Sequence, residues 1–177
     1  MSLRYAIIFS RVRDMDAVKI RTTPASDAWR SVMTAFTRVN TVLAREMEAE
    51  ASVSLDWYGI LLMLAQSHDA SMRPSDLADQ IGLSRSATTR LIDRLESDGL
   101  VERRSCASDR RGTFVMLTAR GEDVFKEAGR VHLRGINEHV GSHLTNDELS
   151  QLAALLGKLA DRVGGKALST LTPSKTP

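Results

Sequence analysis

Hydrophobic residues recur at helical spacing in the first third of the chain. Over residues 26–50 apolar side chains follow one another at intervals of one, three or four residues, which predicts a long helix capped by Ser26 or Asp27. A second helix is predicted over residues 55–67, followed by a loop at residues 68–71. The stripe of the first helix comprises Trp29, Val32, Met33, Phe36, Val39, Leu43 and Met47.

Two further amphipathic helices are predicted over residues 119–163. The first contains Gly129 and Gly135, which weaken a helix because glycine has a low helical propensity. The second opens with Thr145 and Glu148 at the spacing of a capping box, in which each side chain bonds the other residue's backbone. Its apolar stripe comprises Leu149, Leu152, Leu155, Leu156, Leu159 and Val163.

Two short helices joined by a tight turn are predicted over residues 74–98. Pro74 suits the first turn of a helix, and Gly82 can end that helix in the left-handed conformation. Ser84 is placed to cap the second helix, and Gly99 ends it. The pattern is typical of a helix-turn-helix, whose second helix enters the major groove of DNA. The apolar residues expected to pack inward from that helix are Ala87, Leu91, Ile92 and Leu95.

A strand, a polar loop and a returning strand are predicted over residues 100–117, which adds a β-hairpin wing to the helix-turn-helix. Arg110 and Arg111 would stand at its tip, where they could lie on the DNA backbone or in a minor groove. Residues 84–120 hold eight arginines, five acidic residues and no lysine, although the whole chain carries a net charge of only +2. Arginine suits phosphates and guanine edges because it presents a forked set of donors.

Composition fits one domain with short tails. The chain has 177 residues, of which 42% are hydrophobic and 26% charged. Residues 1–25 and 164–177 are predicted to be tails around a domain at 26–163; Met15 could be the true start. Cys106 is the single cysteine, which excludes an internal disulfide, and no apolar run is long enough to span a bilayer. The expected fold is mainly α with a small β-hairpin wing, in a cytoplasmic protein.

Three stretches, in order and at these spacings, carry a family signature. They are Pro74-x-x-Leu77-Ala78-x-x-Ile81-Gly82-Leu83-Ser84, Thr89-Arg90-Leu91-Ile92-Asp93-Arg94-Leu95-Glu96-x-x-Gly99-Leu100-Val101-Glu102-Arg103 and Asp109-x-Arg111-x-x-x-Val115-x-Leu117-Thr118-x-x-Gly121. The span from Trp29 to Val163 thereby resembles the MarR (multiple antibiotic resistance regulator) family of winged helix-turn-helix transcription factors.

The resemblance implies a homodimeric repressor on a palindromic operator in double-stranded DNA. It also implies release by a small aromatic or phenolic effector bound between the dimerisation and DNA-binding regions, which Trp57, Tyr58, Met63 and His68 could border. The dimerisation helices are expected at 26–50 and 119–163, with contacts from Trp29, Phe36, Leu152, Leu156 and Leu159. The DNA contacts are expected from Ser84, Arg85, Ser86, Thr88, Thr89, Arg90, Arg94, Asp109, Arg110 and Arg111.

Three alternatives stay open. A redox sensor would need a reactive cysteine, and Cys106 lies in the wing, where nothing in the sequence establishes that the pKa of its thiol is lowered. A metal sensor could use His139 and His143, whose spacing suits zinc if they share a helix; His132 lies seven residues before His139 on the same face. A dimeric interaction module without DNA binding would leave the arginines of the wing unexplained. The sequence contains no phosphate-binding loop, G-x-S-x-G or H-E-x-x-H motif, so we expect neither an enzyme nor a cofactor.

Overall fold

The computed structural model describes residues 22–105 and 113–163. They are mostly helical with a small antiparallel sheet, which confirms the expected fold class. The predicted tails and the residues Cys106, Asp109, Arg110 and Arg111 fall almost wholly outside the described residues. The helices are α1 (Pro24–Glu46), α2 (Leu55–Gln66), α3 (Pro74–Ile81), α4 (Arg85–Ser97), α5 (Ala119–His139) and α6 (Asn146–Val163); the strands are β1 (Ser71–Met72), β2 (Val101–Ser105) and β3 (Thr113–Leu117).

The chain divides into two compact units, Met1–Asn40 and Thr41–Pro177. In the first unit, α1 begins at Pro24 and is capped by Thr23, not by the predicted Ser26 or Asp27. Thr23 Oγ1 accepts from the Ser26 N–H at 3.1 Å, while Ser26 Oγ accepts from the Thr23 N–H at 2.8 Å. Ser26 is therefore the reciprocal member of the cap, because the helix begins two residues earlier than predicted.

In the second unit, α1 ends at Glu46, four residues before the predicted end. A π-helical turn, Met47–Ala51, follows, and the chain leaves it through Ser52 in the left-handed conformation, with φ of 54°. Met47, the first residue of this turn, and Val53, just after it, are buried with Tyr58 of α2 and with Ala128 and Val131 of α5 in a small core.

A larger core joins the helix-turn-helix to the sheet. It is formed by buried apolar side chains from α2, α3, α4, the two longer strands and Leu100 just before β2: Ile60, Leu61, Leu64, Leu77, Ile92, Leu95, Leu100, Val101 and Val115. The sheet order is β1-β3-β2, with both pairs antiparallel. The loop predicted at residues 68–71 is in fact a 3₁₀ turn, His68–Ala70, that leads into β1, where Ser71 pairs with Met116.

Two glycines of α5 lie where another part of the chain approaches closely, a backbone carbonyl group at Gly121 and a side chain at Gly135. A Cβ atom on Gly121 would lie 1.9 Å from the carbonyl oxygen of Leu100, so only glycine fits where the first turn of α5 meets the backbone between α4 and β2. A Cβ on Gly135 would lie 2.5 Å from Leu43 Cδ2. Gly135 therefore allows α5 to pack closely on the end of α1. The sequence shows only that glycine has a low helical propensity, so this packing role could not be predicted from it.

Candidate nucleic-acid interface

The turn between α3 and α4 is built as the sequence predicts. Pro74 stands in the first turn of α3, and Gly82 ends that helix with a φ of 70°. Ser84 caps α4 by accepting a hydrogen bond from the Ala87 N–H at 3.2 Å. These local signals set the angle at which α4 leaves the turn, and α4 is consequently held by its own cap as well as by the core.

The two sides of α4 differ sharply in burial. Ile92 and Leu95 are fully buried in the larger core, and Leu91 is packed against its rim. At about 100° per residue, Ser86 and Arg90 lie on the opposite side, and both are exposed. Thr89 and Arg94 are exposed at the flanks of that side, and Arg85 is exposed at the first residue of the helix. The helix thus leaves an uncovered polar side with two arginines, and a third arginine is exposed at its N-terminal end.

Thr88 does not belong to this surface. Its side chain is only 1% exposed, and Oγ1 donates to the Ser84 carbonyl oxygen at 3.2 Å. The prediction that Thr88 contacts DNA is wrong, because the side chain is buried. The prediction rested on the polar hydroxyl group, whereas the helical position of Thr88 places it on the buried side. Its place one turn before Ile92 could have revealed this.

The wing is a hairpin of β2 and β3. Val101 pairs with Leu117 at its base and Ser105 with Thr113 at the last described pair. Arg73, just before α3, lies over the ring of Phe114, with its guanidinium carbon 5.2 Å from the ring centroid. This cation–π contact joins the start of the helix-turn-helix to β3, and no local sequence pattern predicts it.

Arg103 of β2 is bound to two acidic residues of α4. Its Nη2 lies 2.5 Å from Asp93 Oδ1, Nη1 donates to Glu96, and its backbone N–H donates to Glu96 Oε1 at 3.0 Å. Burial lowers the pKa of Arg103, but the hydrogen bonds and charges of Asp93 and Glu96 outweigh it and raise that pKa above its ordinary value. Arg103 therefore fixes the wing to α4 and neutralises carboxylate charge beside its polar surface.

The predicted dimerisation residues are all exposed in the single chain. Trp29 is 58% exposed, and Phe36, Leu152, Leu156 and Leu159 are each between 38% and 47% exposed. From residue 150 to residue 162, every residue of α6 is exposed. An amphipathic helix of this length gains most of its stability from burying its apolar stripe, so α6 has a surface suited to a partner.

Of the three histidines considered for a metal site, His132 and His139 are partly buried and His143 is exposed. His132 packs on Tyr58, with ring centroids 4.7 Å apart, and His139 Nε2 lies 2.6 Å from Glu46 Oε1. His139 ends α5 whereas His143 lies in a 3₁₀ turn, so the two do not share a helix as the zinc hypothesis requires. Among the described residues no group of three or more His, Cys, Asp or Glu side chains could hold a metal ion.

The candidate effector residues differ in burial and in what they contact. Tyr58 is buried and stacks on Phe125 at 5.7 Å, and Trp57 and Met63 pack against the cores. His68 is almost wholly exposed and pairs with its neighbour Asp69 at 2.8 Å.

Among the residues that the structure describes, no helix is both long and apolar enough to cross a membrane.

A model of the MarR family matches residues 51–112, which span α2, the helix-turn-helix and β2. The structure is similar to that of Sco3205, a MarR family transcriptional regulator from Streptomyces coelicolor solved in complex with DNA, with a TM-score of 0.74 and 28% identity over 88% of this chain and 97% of that one.

Two further solved structures extend the likeness. AbsC, a MarR family transcriptional regulator from the same organism, has a TM-score of 0.72 and 29% identity over 80% of this chain and 96% of that chain. A mutant MarR from E. coli complexed with operator DNA has a TM-score of 0.62 and 27% identity over 73% and 93% of the two chains.

Proposed function

We propose that this chain, which belongs to the MarR family of transcriptional regulators, is a cytoplasmic, ligand-responsive repressor that binds a palindromic operator as a homodimer. The observation that carries the proposal is the uncovered side of α4, where Ser86 and Arg90 stand opposite a buried apolar side. A helix presented in this way fits a major groove, where its first turns reach base edges.

We assign each proposed DNA contact to a base or to a phosphate according to the position of its residue in α4 or the wing. Arg85, Ser86, Thr89 and Arg90, in the first half of α4, are proposed to read bases, and Ser84 holds the helix end that presents them. Arg94 stands in the last turn and is assigned a phosphate, as are Arg110 and Arg111 of the wing, with Asp109 as their orienting carboxylate. Phosphate contacts fix position and supply salt-dependent affinity, whereas base contacts supply specificity.

Dimerisation is proposed because α6 has a long apolar stripe without cover. Leu152, Leu156 and Leu159 lie on one side of that helix, and Trp29 and Phe36 are exposed on α1. A second copy of the chain is the simplest partner, because an isologous interface buries the same residues twice. Two-fold symmetry would then place two copies of α4 about one turn of DNA apart, ~34–36 Å, which requires a palindromic target.

The effector is assigned by family resemblance to the small aromatic or phenolic compounds. Binding of such a ligand would favour a dimer whose two α4 helices no longer match successive major grooves. The dimer is released from DNA if the ligand binds this second arrangement of the dimer more tightly than it binds the DNA-bound arrangement.

Gel-shift titration against duplexes from the gene's own upstream region tests the proposal. We expect a sequence-specific complex whose footprint has two-fold symmetry, and loss of that complex on adding phenol, benzoate or hydroxybenzoate. Arg90→Ala should cost about 1–3 kcal/mol on the specific duplex. Arg130→Ala, which removes an exposed arginine from α5, is the matched control and should leave binding intact. Binding that is equally weak on every duplex would contradict the proposal.

A further inference from the structure

The hydroxyl of Thr89 is engaged within α4. Its Oγ1 donates to the carbonyl oxygen of Arg85, one turn earlier, at 2.8 Å, although the side chain itself is exposed. A threonine hydroxyl has one proton to donate. Thr89 can therefore donate to a base only by giving up a short bond that its helical position supplies.

Two parts of the Thr89 side chain remain available to contact DNA: its methyl group and the lone pairs of Oγ1, which can still accept a hydrogen bond. The β-branched side chain is stiff, so fixing Oγ1 toward Arg85 also fixes the direction of the methyl group. Of the two nearby serines, one hydroxyl proton is engaged as well, because Ser84 Oγ and Ser86 Oγ lie 3.2 Å apart and share one hydrogen bond; the other hydroxyl keeps its proton. Strong donation to bases from this half of α4 comes from Arg85 and Arg90.

In the major groove, guanine presents only acceptors, while thymine adds a methyl group to its acceptor. Guanine suits the two arginines and has nothing to offer a threonine whose proton is engaged. We propose that Thr89 is a specificity-determining residue that recognises the 5-methyl group of a thymine through its own methyl group. This inference rests on the proposed function, since it requires α4 to lie in a major groove.

The test replaces thymine by uracil, which removes the 5-methyl group and keeps the base pair. The highest-affinity duplex is first selected from a random library with the full-length protein. Each thymine pair related by the two-fold axis is then changed to uracil, and affinity is measured by fluorescence anisotropy. We expect one position at which wild type loses affinity about fourfold per methyl contact, the value for one methyl group removed from water.

Two substitutions assign that loss to Thr89. Thr89→Ser keeps the hydroxyl and removes the methyl group, so it should bind the thymine and uracil duplexes equally. Thr89→Val keeps the branched shape without the hydroxyl and should retain the discrimination. Thr34→Ser, on an exposed position of α1, makes the same chemical change outside the helix-turn-helix and should behave as wild type.

Discrimination that persists in Thr89→Ser, or that is absent from wild type at every thymine, would overturn the inference while leaving DNA binding intact. A larger loss for Thr89→Val than for Thr89→Ser would also overturn it, because the hydroxyl would then be accepting from adenine or cytosine. Failure to bind any DNA would remove both the proposed function and this inference.

Discussion

The guanidinium of Arg103 lies 2.5 Å from the carboxylate of Asp93, so the first strand of the wing holds an acidic residue of α4. Asp93 stands one turn after Thr89 and Arg90, close to the surface that we assign to DNA. An unpaired carboxylate there would repel phosphates. The pair explains how α4 can carry Asp93 and Glu96 and still face a polyanion, with Arg103 neutralising what they contribute.

Removing Arg103 should therefore weaken DNA binding without any loss of a direct contact. Arg103→Gln leaves two carboxylates uncompensated, and we expect affinity to fall roughly tenfold at low salt, with less effect at high salt. Adding Asp93→Asn to Arg103→Gln should recover much of the loss. Anisotropy titrations of the two variants, with melting curves to check folding, measure this. A double variant no better than Arg103→Gln would show that Arg103 acts by positioning the wing alone.

The exposed stripe of α6 should govern the oligomeric state. Leu156→Glu would place an unpaired charge in the proposed interface, at a cost of several kcal/mol. Light scattering should then report a monomer or an aggregate. Ala154→Glu is the matched control, because at about 100° per residue it adds the same charge on the other side of the helix. If Leu156→Glu remained a dimer with native DNA affinity, α6 would not be the interface.

Glycine substitutions should separate close packing from helix propensity. Gly121→Ala forces a Cβ atom against the Leu100 carbonyl group, and we expect a loss of about 3 kcal/mol or more in the free energy of unfolding. Gly59→Ala, within α2, meets nothing within 4 Å and should raise that free energy by about 0.5–1 kcal/mol. Urea unfolding measures both. Equal effects would mean that the approach of α5 to Leu100 is not as close as described.

Stability should also depend on pH through His132. Burial against Tyr58 lowers the pKa of His132, so the unfolded chain takes up a proton at a higher pH than the folded chain does. The free energy of unfolding should consequently fall as pH drops below about 6.5, the ordinary pKa of histidine, until the folded protein is protonated too. His132→Phe keeps a ring on Tyr58 and should show a flatter dependence between pH 7 and pH 5. Parallel curves for the two proteins would refute this.

Much of the fold could be predicted because its signals are local. Pro74, Gly82 and Ser84 mark the helix-turn-helix within a few residues of one another, and the capping box of Thr145 and Glu148 is present as predicted. The strand β1 escaped prediction because it is two residues long and exists only by pairing with β3. Where a signal needs a distant partner, the sequence alone does not supply it.

The site was predictable to the same extent. The exposed positions of Ser86, Thr89 and Arg90 follow from helical periodicity, whereas Arg85 is exposed at the first residue of the helix. The burial of Thr88 follows from the same periodicity, but we predicted a DNA contact for this residue because its side chain carries a polar hydroxyl group. The pairing of Arg103 with α4 joins residues seven and ten positions apart through a turn, and neither spacing is diagnostic.

If α4 reads bases while the wing contacts the DNA backbone, substitutions in the two elements should differ in their dependence on sequence and salt, and anisotropy titrations of three proteins measure this. Wild type, Arg90→Ala and Arg111→Ala are titrated with a specific and a scrambled duplex at several salt concentrations. We predict that Arg111→Ala weakens binding to both duplexes and lowers the salt slope by about one. Arg90→Ala should cost about 1–3 kcal/mol on the specific duplex and less on the scrambled one. Unchanged affinity and slope for Arg111→Ala on both duplexes, or an equal loss on both for Arg90→Ala, would contradict the account.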